Sequence, residues 1–276
     1  MLPKNLLQSP NSSNLLGKTA LITGATSGIG RAIAQFFLLE KAEVITVGRT
    51  NINSFTELFS CEDNNSGSDE ALKRISDIQK NWIHLPADLS CSDQRNELIE
   101  SAWNWRGKID ILVNCAGADI LTGNNKTLSF EQKLALLWAV DVQSTVSLSR
   151  ALGNKMRGQG SGCIINIGWD GARRGLAGDS GELFALIKGA VESFSLSLAQ
   201  SLAPQVKVNV IAPGWIETQW GKTAPESWQE KIRRQSLIHR WGTPEEIAAA
   251  AVFLASPAAS LVNGHIIDLN GGFAVN

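Results

Sequence analysis

The chain contains no tyrosine in 276 residues, so no phenol is present to give or take a proton in any site it forms. It also lacks an excess of either charge, with 25 basic residues against 26 acidic ones and a pI near 6.3. That balance removes the electrostatic footprint of a protein that binds nucleic acid or an anionic membrane surface, and leaves small molecules as the expected partners. Cysteine is sparse: Cys61, Cys91, Cys115 and Cys163 are scattered without metal-ligand spacing, and the last two sit in apolar runs where thiols act as small hydrophobes. All four are expected to be reduced and no metal is expected, in keeping with a cytoplasmic protein. No stretch reaches membrane-span length, and Met1 to Asn14 holds one lysine and no apolar run long enough for a secretory signal.

What is present is an alternation of strand-like and helix-like runs. At 29.7 kDa the chain can bury one large core, and a single α/β domain over residues 17–276 is expected behind an Asn-, Ser- and Pro-rich arm at 1–16. Apolar runs at Thr19 to Thr23, Val44 to Val47, Trp82 to Leu85, Ile109 to Asn114, Cys163 to Ile167, Val206 to Ile211 and His265 to Leu269 read as strands. Helical spacing between most of them implies a Rossmann-type doubly wound parallel sheet with helices on both faces. Two segments break the rhythm. Residues 51–69 are polar and without period, which reads as a surface insertion, and Trp215 to Gln235 follows Pro213-Gly214 where loops that cap a bound molecule often lie.

The first strand feeds Gly24-Ala25-Thr26-Ser27-Gly28-Ile29-Gly30, a turn that opens a helix near Arg31. Glycines at those places let backbone approach a pyrophosphate held by turn amides and the helix N-terminus. The second strand ends in Arg49 with no acidic residue to take ribose hydroxyls. Arg49 therefore reads as the partner of a 2′-phosphate, favouring NADP over NAD, with a solvated surface charge as the alternative.

Five further motifs follow in order: Ala87-Asp88-Leu89, Asn114-Cys115-Ala116-Gly117, Pro213-Gly214-Trp215-Ile216-Glu217-Thr218, Arg240-Trp241-Gly242-Thr243-Pro244, and the closing Asn270-Gly271-Gly272. With the glycine turn they make residues 17–273 resemble the short-chain dehydrogenase/reductase family, in particular its 3-oxoacyl-acyl-carrier-protein reductases. The resemblance implies that Asp88, beside Leu89, meets the adenine. It places Asn114, Ala116 and Gly117 beneath the cofactor, and Ile216 and Thr218, after Pro213-Gly214, on the carboxamide. A helix N-cap role for Asp88 and a simple turn at Gly117 are the alternatives. The resemblance also implies a homotetramer or homodimer built through the helix from Phe184 to Leu202 and the segment His265 to Phe273, or a mixed oligomer with an active homologue.

The active centre departs from that family. Its enzymes use a tyrosine as proton donor, a lysine four residues on, a serine and an asparagine. Here Phe184 stands in the tyrosine place, Trp169 in the serine place and Asp141 in the asparagine place, and Lys188 alone is kept. Two groups each worth orders of magnitude in rate are missing. The intervening loop offers replacements: Asp170 or Glu182, in an apolar pocket walled by tryptophans such as Trp169, Trp215, Trp220 and Trp241, would have a raised pKa and act as the acid. Pairing of Asp170 and Asp179 with Arg173 or Arg174, or capping of the next helix, is the alternative, as is core packing for Trp241. Lys188 would hold the nicotinamide ribose in either case, with Asp141 offsetting its charge. Three functions stay open: an NADP-dependent oxidoreductase with a rebuilt acid, one whose hydride goes to an activated double bond or iminium, and a non-catalytic NADP-binding homologue.

Overall fold

Seven apolar runs become seven parallel strands in a computed structural model that describes residues 14–51, 57–58 and 78–272. Residues 1–13, most of the 51–69 segment, Cys61 and the side chain of Trp220 lie outside the described residues. The strands are β1 (Thr19–Thr23), β2 (Glu43–Gly48), β3 (Trp82–Pro86), β4 (Ile111–Asn114), β5 (Gly162–Ile167), β6 (Val206–Pro213) and β7 (Ile266–Leu269), in sheet order β3-β2-β1-β4-β5-β6-β7. The central ones are buried along their length, as β1 and β4 show, which is why they read as unbroken apolar runs rather than as alternations. The fourth strand begins two residues later than the run beginning at Ile109 suggests. Asp110 intervenes: its backbone N–H donates to Thr19 O at 2.8 Å and its carboxylate accepts the Thr19 N–H at 2.9 Å.

Helices cover both faces: α1 (Gly28–Leu39), α2 (Ser92–Arg106), α3 (Phe130–Leu137), α4 (Ser144–Gln159), α5 (Asp179–Leu202), α6 (Gln219–Thr223), α7 (Glu226–Gln235) and α8 (Pro244–Ala255). Ile33, Phe36 and Phe37 of α1 join Ile247, Ala251 and Leu254 of α8 in one core layer. Leu98, Leu152, Leu198 and Leu202 from α2, α4 and α5 form the other. Helix starts carry their own chemistry. Ser129 and Gln132 close a capping box on α3, and Thr243 and Glu246 do the same on α8, where Pro244 takes the first turn.

The arm ends inside the fold: Leu15 is fully buried, and Glu40 Oε2 accepts the Asn14 N–H at 3.0 Å. Leu58, within the segment expected as a surface insertion, is also fully buried, and its carbonyl accepts hydrogen bonds from Arg31 and Gln35 on α1. The chain runs outward from β1 to β3, then returns to place β4 on the other side of β1. That reversal opens a crevice at the carboxyl ends of β1 and β4, where doubly wound sheets bind their ligands.

Candidate active site

The crevice is floored by close backbone approaches. A Cβ at Gly30 would stand 2.3 Å from Gly24 O, and one at Gly24 would stand 2.8 Å from Ala116 Cα, so both positions require glycine. Thr23 Oγ1 ties the two loops by accepting the N–H groups of Cys115 and Ala116 at 3.0 and 3.1 Å. Thr26 packs on Gly48, and Gly28 faces Thr218, so Ser27 and Ile29 sit where the glycine turn meets the segment after β6. Ser27, the N-cap of α1, makes no side-chain capping bond, and the first turn of α1 holds no acidic residue. Exposed N–H groups and an uncompensated positive helix end fit a phosphate, so the residues present fit a dinucleotide.

At the far end Arg49 is exposed. Asp88 accepts the Ser90 N–H and hydroxyl at 2.9 and 2.7 Å, and these bonds hold its carboxyl below the usual range, with a smaller contribution from the Arg49 charge. It is not the cap of α2, because Cys91 holds that position. Leu89 faces the core and leaves its carbonyl to Arg95. Asn114 is buried in a polar chain, donating to Ser149 Oγ at 2.9 Å and to Asn166 Oδ1 at 2.8 Å.

Asp141 lies in a π-helical turn, Trp138–Gln143, between α3 and α4. Such a turn carries an extra residue and re-aims a side chain, and it is frequent at functional sites. Asp141 is 2% exposed; it accepts the Ala118 N–H at 2.8 Å and pairs with Lys188 Nζ at 3.1 Å. Lys188 also donates to Ile167 O at 3.2 Å. Trp169 and Phe184 meet edge to face with ring centroids 6.4 Å apart, and the Trp169 indole folds over Gly171. Two aromatic rings thus stand together at the end of β5 and the start of α5.

Neither expected acid is aimed at them. Asp170 is buried, but its carboxylate is engaged by Arg174 and by Asn270 Nδ2 at 2.9 Å, which is the pairing alternative realised. Glu182 is exposed on the first turn of α5, and so is Asp179. Trp215 stacks edge-on with Trp228 at 5.1 Å and Trp241 at 6.1 Å, and Trp241 is buried. Pro213 and Gly214 end β6 against β7, with Gly214 N–H on Leu269 O at 3.0 Å and no room for a side chain beside Asn270. Ile216 is buried beside Gly242.

Sequence reasoning missed one acid in this neighbourhood. Glu192, one turn beyond Lys188 on α5, is 3% exposed, accepts the Trp169 N–H at 3.4 Å and pairs with Arg173 Nε at 3.2 Å. Arg173 reaches on to Asp268. The available signal was a glutamate on the buried stripe of α5 with Ile187, Val191 and Ser195. Burial pushes the Glu192 carboxyl above its ordinary 4.5, against the Trp169 N–H and the Arg173 charge. The folded protein therefore keeps this proton in a window above 4.5 where the unfolded chain has lost it, and stability from this group falls as pH rises through that window. Relative to Glu192→Gln, the wild type is expected to lose melting temperature from pH 4.5 upward, measured by thermal unfolding at a series of pH values. A constant difference between the two proteins would contradict the raised value.

Among the described residues, no helix is long and apolar enough to cross a membrane and no group of His, Cys, Asp and Glu is arranged to hold a metal. The enoyl-(acyl carrier protein) reductase family pattern matches residues 24–274. The chain is 33% identical over 267 residues to the 3-oxoacyl-[acyl-carrier-protein] reductase of Aquifex aeolicus, covering 94% of this chain and 98% of that protein. Its structure is similar to an NADP-bound 3-oxoacyl (acyl-carrier-protein) reductase from Agrobacterium tumefaciens, with TM-score 0.77, 32% identity and coverage of 95% and 96%. It is also similar to a 7α-hydroxysteroid dehydrogenase in complex with NADH, with TM-score 0.77, 29% identity and coverage of 96% and 98%.

Proposed function

Because the chain belongs to the short-chain dehydrogenase/reductase family, we propose that it is an NADP-dependent oxidoreductase whose acceptor needs no side-chain acid, such as an activated double bond or an iminium. The observation that carries this reading is that the aromatic pair Trp169–Phe184 stands in the serine and tyrosine places while Lys188 and the glycine turn are kept. Bound in the crevice, the dinucleotide supplies the hydride. The turn from Gly24 to Gly30 and the α1 N-terminus hold its pyrophosphate, Arg49 its 2′-phosphate, and Asp88 its adenine end. Asn114, Ala116 and Gly117 support it from below, and Ile216 and Thr218 face its carboxamide.

An ammonium has three donors. Lys188 directs N–H bonds to Asp141 and to Ile167 O, which leaves one for a ribose hydroxyl. Asp141 offsets the lysine charge and, through the Ala118 N–H, fixes the loop after β4. Trp169 and Phe184 offer a flat apolar wall, which suits an unsaturated or aromatic ligand. An iminium carbon that accepts hydride becomes an amine with no proton transfer, and an enoyl acceptor takes its second hydrogen from water.

A second reading, an NADP-binding subunit without turnover, is favoured by the withdrawal of Asp170 and the exposure of Glu182. Assembly belongs to the same proposal: Trp138 and Leu186 are 41% and 53% exposed and, with Leu134 and Ala139, line an open apolar groove between the end of α3 and α5, a face for another copy or a homologue. A cytoplasmic setting is proposed with it. The test is titration of the purified protein with NADPH, followed by nucleotide fluorescence as β-ketoacyl, quinone, enoyl and imine compounds are added. Binding with oxidation by an enoyl or imine compound and not by a β-ketoacyl one is expected. Binding without oxidation across the panel would establish the second reading, and no binding would overturn both.

A further inference from the structure

The end of β2 that carries Arg49 is held from both sides by the neighbouring edge strand. On one side Ala87 N–H donates to Gly48 O at 3.0 Å, continuing the β2–β3 ladder. On the other, His84 Nε2 lies 3.0 Å from Thr50 O, and a carbonyl only accepts, so Nε2 carries the proton. Burial holds the imidazole below its ordinary pKa of 6.5, so at neutral pH the ring is uncharged and Nδ1 is an acceptor. Thr46, fully buried and the register partner of His84, places its hydroxyl 3.0 Å from Nδ1. That hydroxyl in turn accepts the Trp82 indole N–H at 2.9 Å, with Ile83 O at 3.2 Å as a competing acceptor for its proton.

With the Thr46 hydroxyl turned to Nδ1, the donors from Trp82 through Thr46 and His84 to Thr50 O all point the same way, and hydrogen bonds aligned this way reinforce each other. Arg49 is the one residue between the two pinned carbonyls, those of Gly48 and Thr50. Its guanidinium is exposed, but its backbone is not free to drift.

We infer that His84 is a positioning residue for cofactor choice: by anchoring the Thr50 carbonyl it fixes the base of Arg49, so that the guanidinium meets a 2′-phosphate without first being ordered. The inference rests on the reading of Arg49 as the 2′-phosphate partner. A group ordered before binding loses less conformational entropy on binding. The benefit falls on the phosphate-bearing nucleotide alone, because NADH has nothing at that position for Arg49 to hold.

The test is equilibrium fluorescence titration of NADPH and NADH against wild type, His84→Leu, His84→Gln and Arg49→Ala/His84→Leu. His84→Leu is expected to weaken NADPH binding about three- to tenfold, the size of one lost hydrogen bond that orders a binding group, and to leave NADH unchanged. Glutamine carries an amide N–H of similar reach and is expected to keep NADPH binding near wild type. In the absence of Arg49, the histidine substitution is expected to change nothing further. Equal weakening of both nucleotides in His84→Leu, or a loss in His84→Gln as large as in His84→Leu, would overturn the inference and leave His84 as a packing residue of β3. A wild type that holds NADPH and NADH equally would instead overturn the reading of Arg49, and this inference with it.

Discussion

Replacing Phe184 with tyrosine and Trp169 with serine in one protein is expected to raise NADPH-dependent reduction of a β-ketoacyl substrate by about a hundredfold to ten-thousandfold, the range a positioned proton donor contributes. The two rings are neighbours, with centroids 6.4 Å apart, so the substitutions act on one small volume. Tyrosine at 184 alone would still have the Trp169 indole beside it, and serine at 169 alone would leave a phenyl ring in place of the proton donor. Each single change is therefore expected to gain little, and the coupling between them is the diagnostic quantity, as expected for groups that act as a unit. Lys188 is already one turn beyond position 184 on α5, where its charge would ease loss of a phenolic proton. Initial rates of NADPH oxidation by the four proteins of the cycle, at fixed saturating cofactor, check this. If the double variant gains no more than the sum of the singles, Asp141 holds Lys188 too far from position 184. Adding Asp141→Asn would then be expected to release it.

The second large effect concerns that ion pair. Lys188→Met removes the partner of a carboxylate that is 2% exposed, and breaking a buried pair from one side costs about 3–5 kcal/mol because it strands a charge. In a domain of this size that is expected to lower the melting temperature by roughly 5–9 °C. Lys188→Met/Asp141→Leu removes both charges and is expected to regain most of the loss, since apolar replacement of a whole buried pair is often neutral. Asp141→Asn is expected to be the mildest of the three, because asparagine still accepts the Ala118 N–H and the lysine, 15% exposed at its side chain, still reaches Ile167 O and solvent. Thermal unfolding of the four proteins at pH 7 is the measurement. A double variant as unstable as Lys188→Met would show that packing, and not the stranded charge, set the loss.

Local signals carried most of the fold. The seven strands stand where apolar runs mark them because buried parallel strands need such runs, and the glycine turn is legible because backbone approaches at Gly24 and Gly30 permit no Cβ and Gly28 takes a left-handed φ of +52°. The start of β4 was misplaced because Ile109 and Ile111 look alike in a window, while the bond between Asp110 and Thr19 spans 91 residues. The cofactor half of the site reads from contiguous motifs. The catalytic half does not, for the same reason of range: Asp170 looks like an available acid until Asn270, one hundred residues later, is seen to hold it. Glu182 looks enclosed among tryptophans because their number says nothing about which of them meet. Glu192 was within reach, since a charged residue on the buried stripe of a helix marks a paired or perturbed group.

The two ties from the loop after β5 to the end of β7, Arg173 to Asp268 and Asp170 to Asn270, have a consequence for how the molecule is made. On the ribosome, β1, α1 and β2 emerge before the strands and helices that follow them, so the residues of the glycine turn leave the tunnel ahead of those that close the far wall. The wall beneath Trp169 has its last fasteners only once residues 268–270 have left the exit tunnel, long after β2 has done so. A nascent chain of this protein therefore presents its glycine turn long before it can fasten that wall.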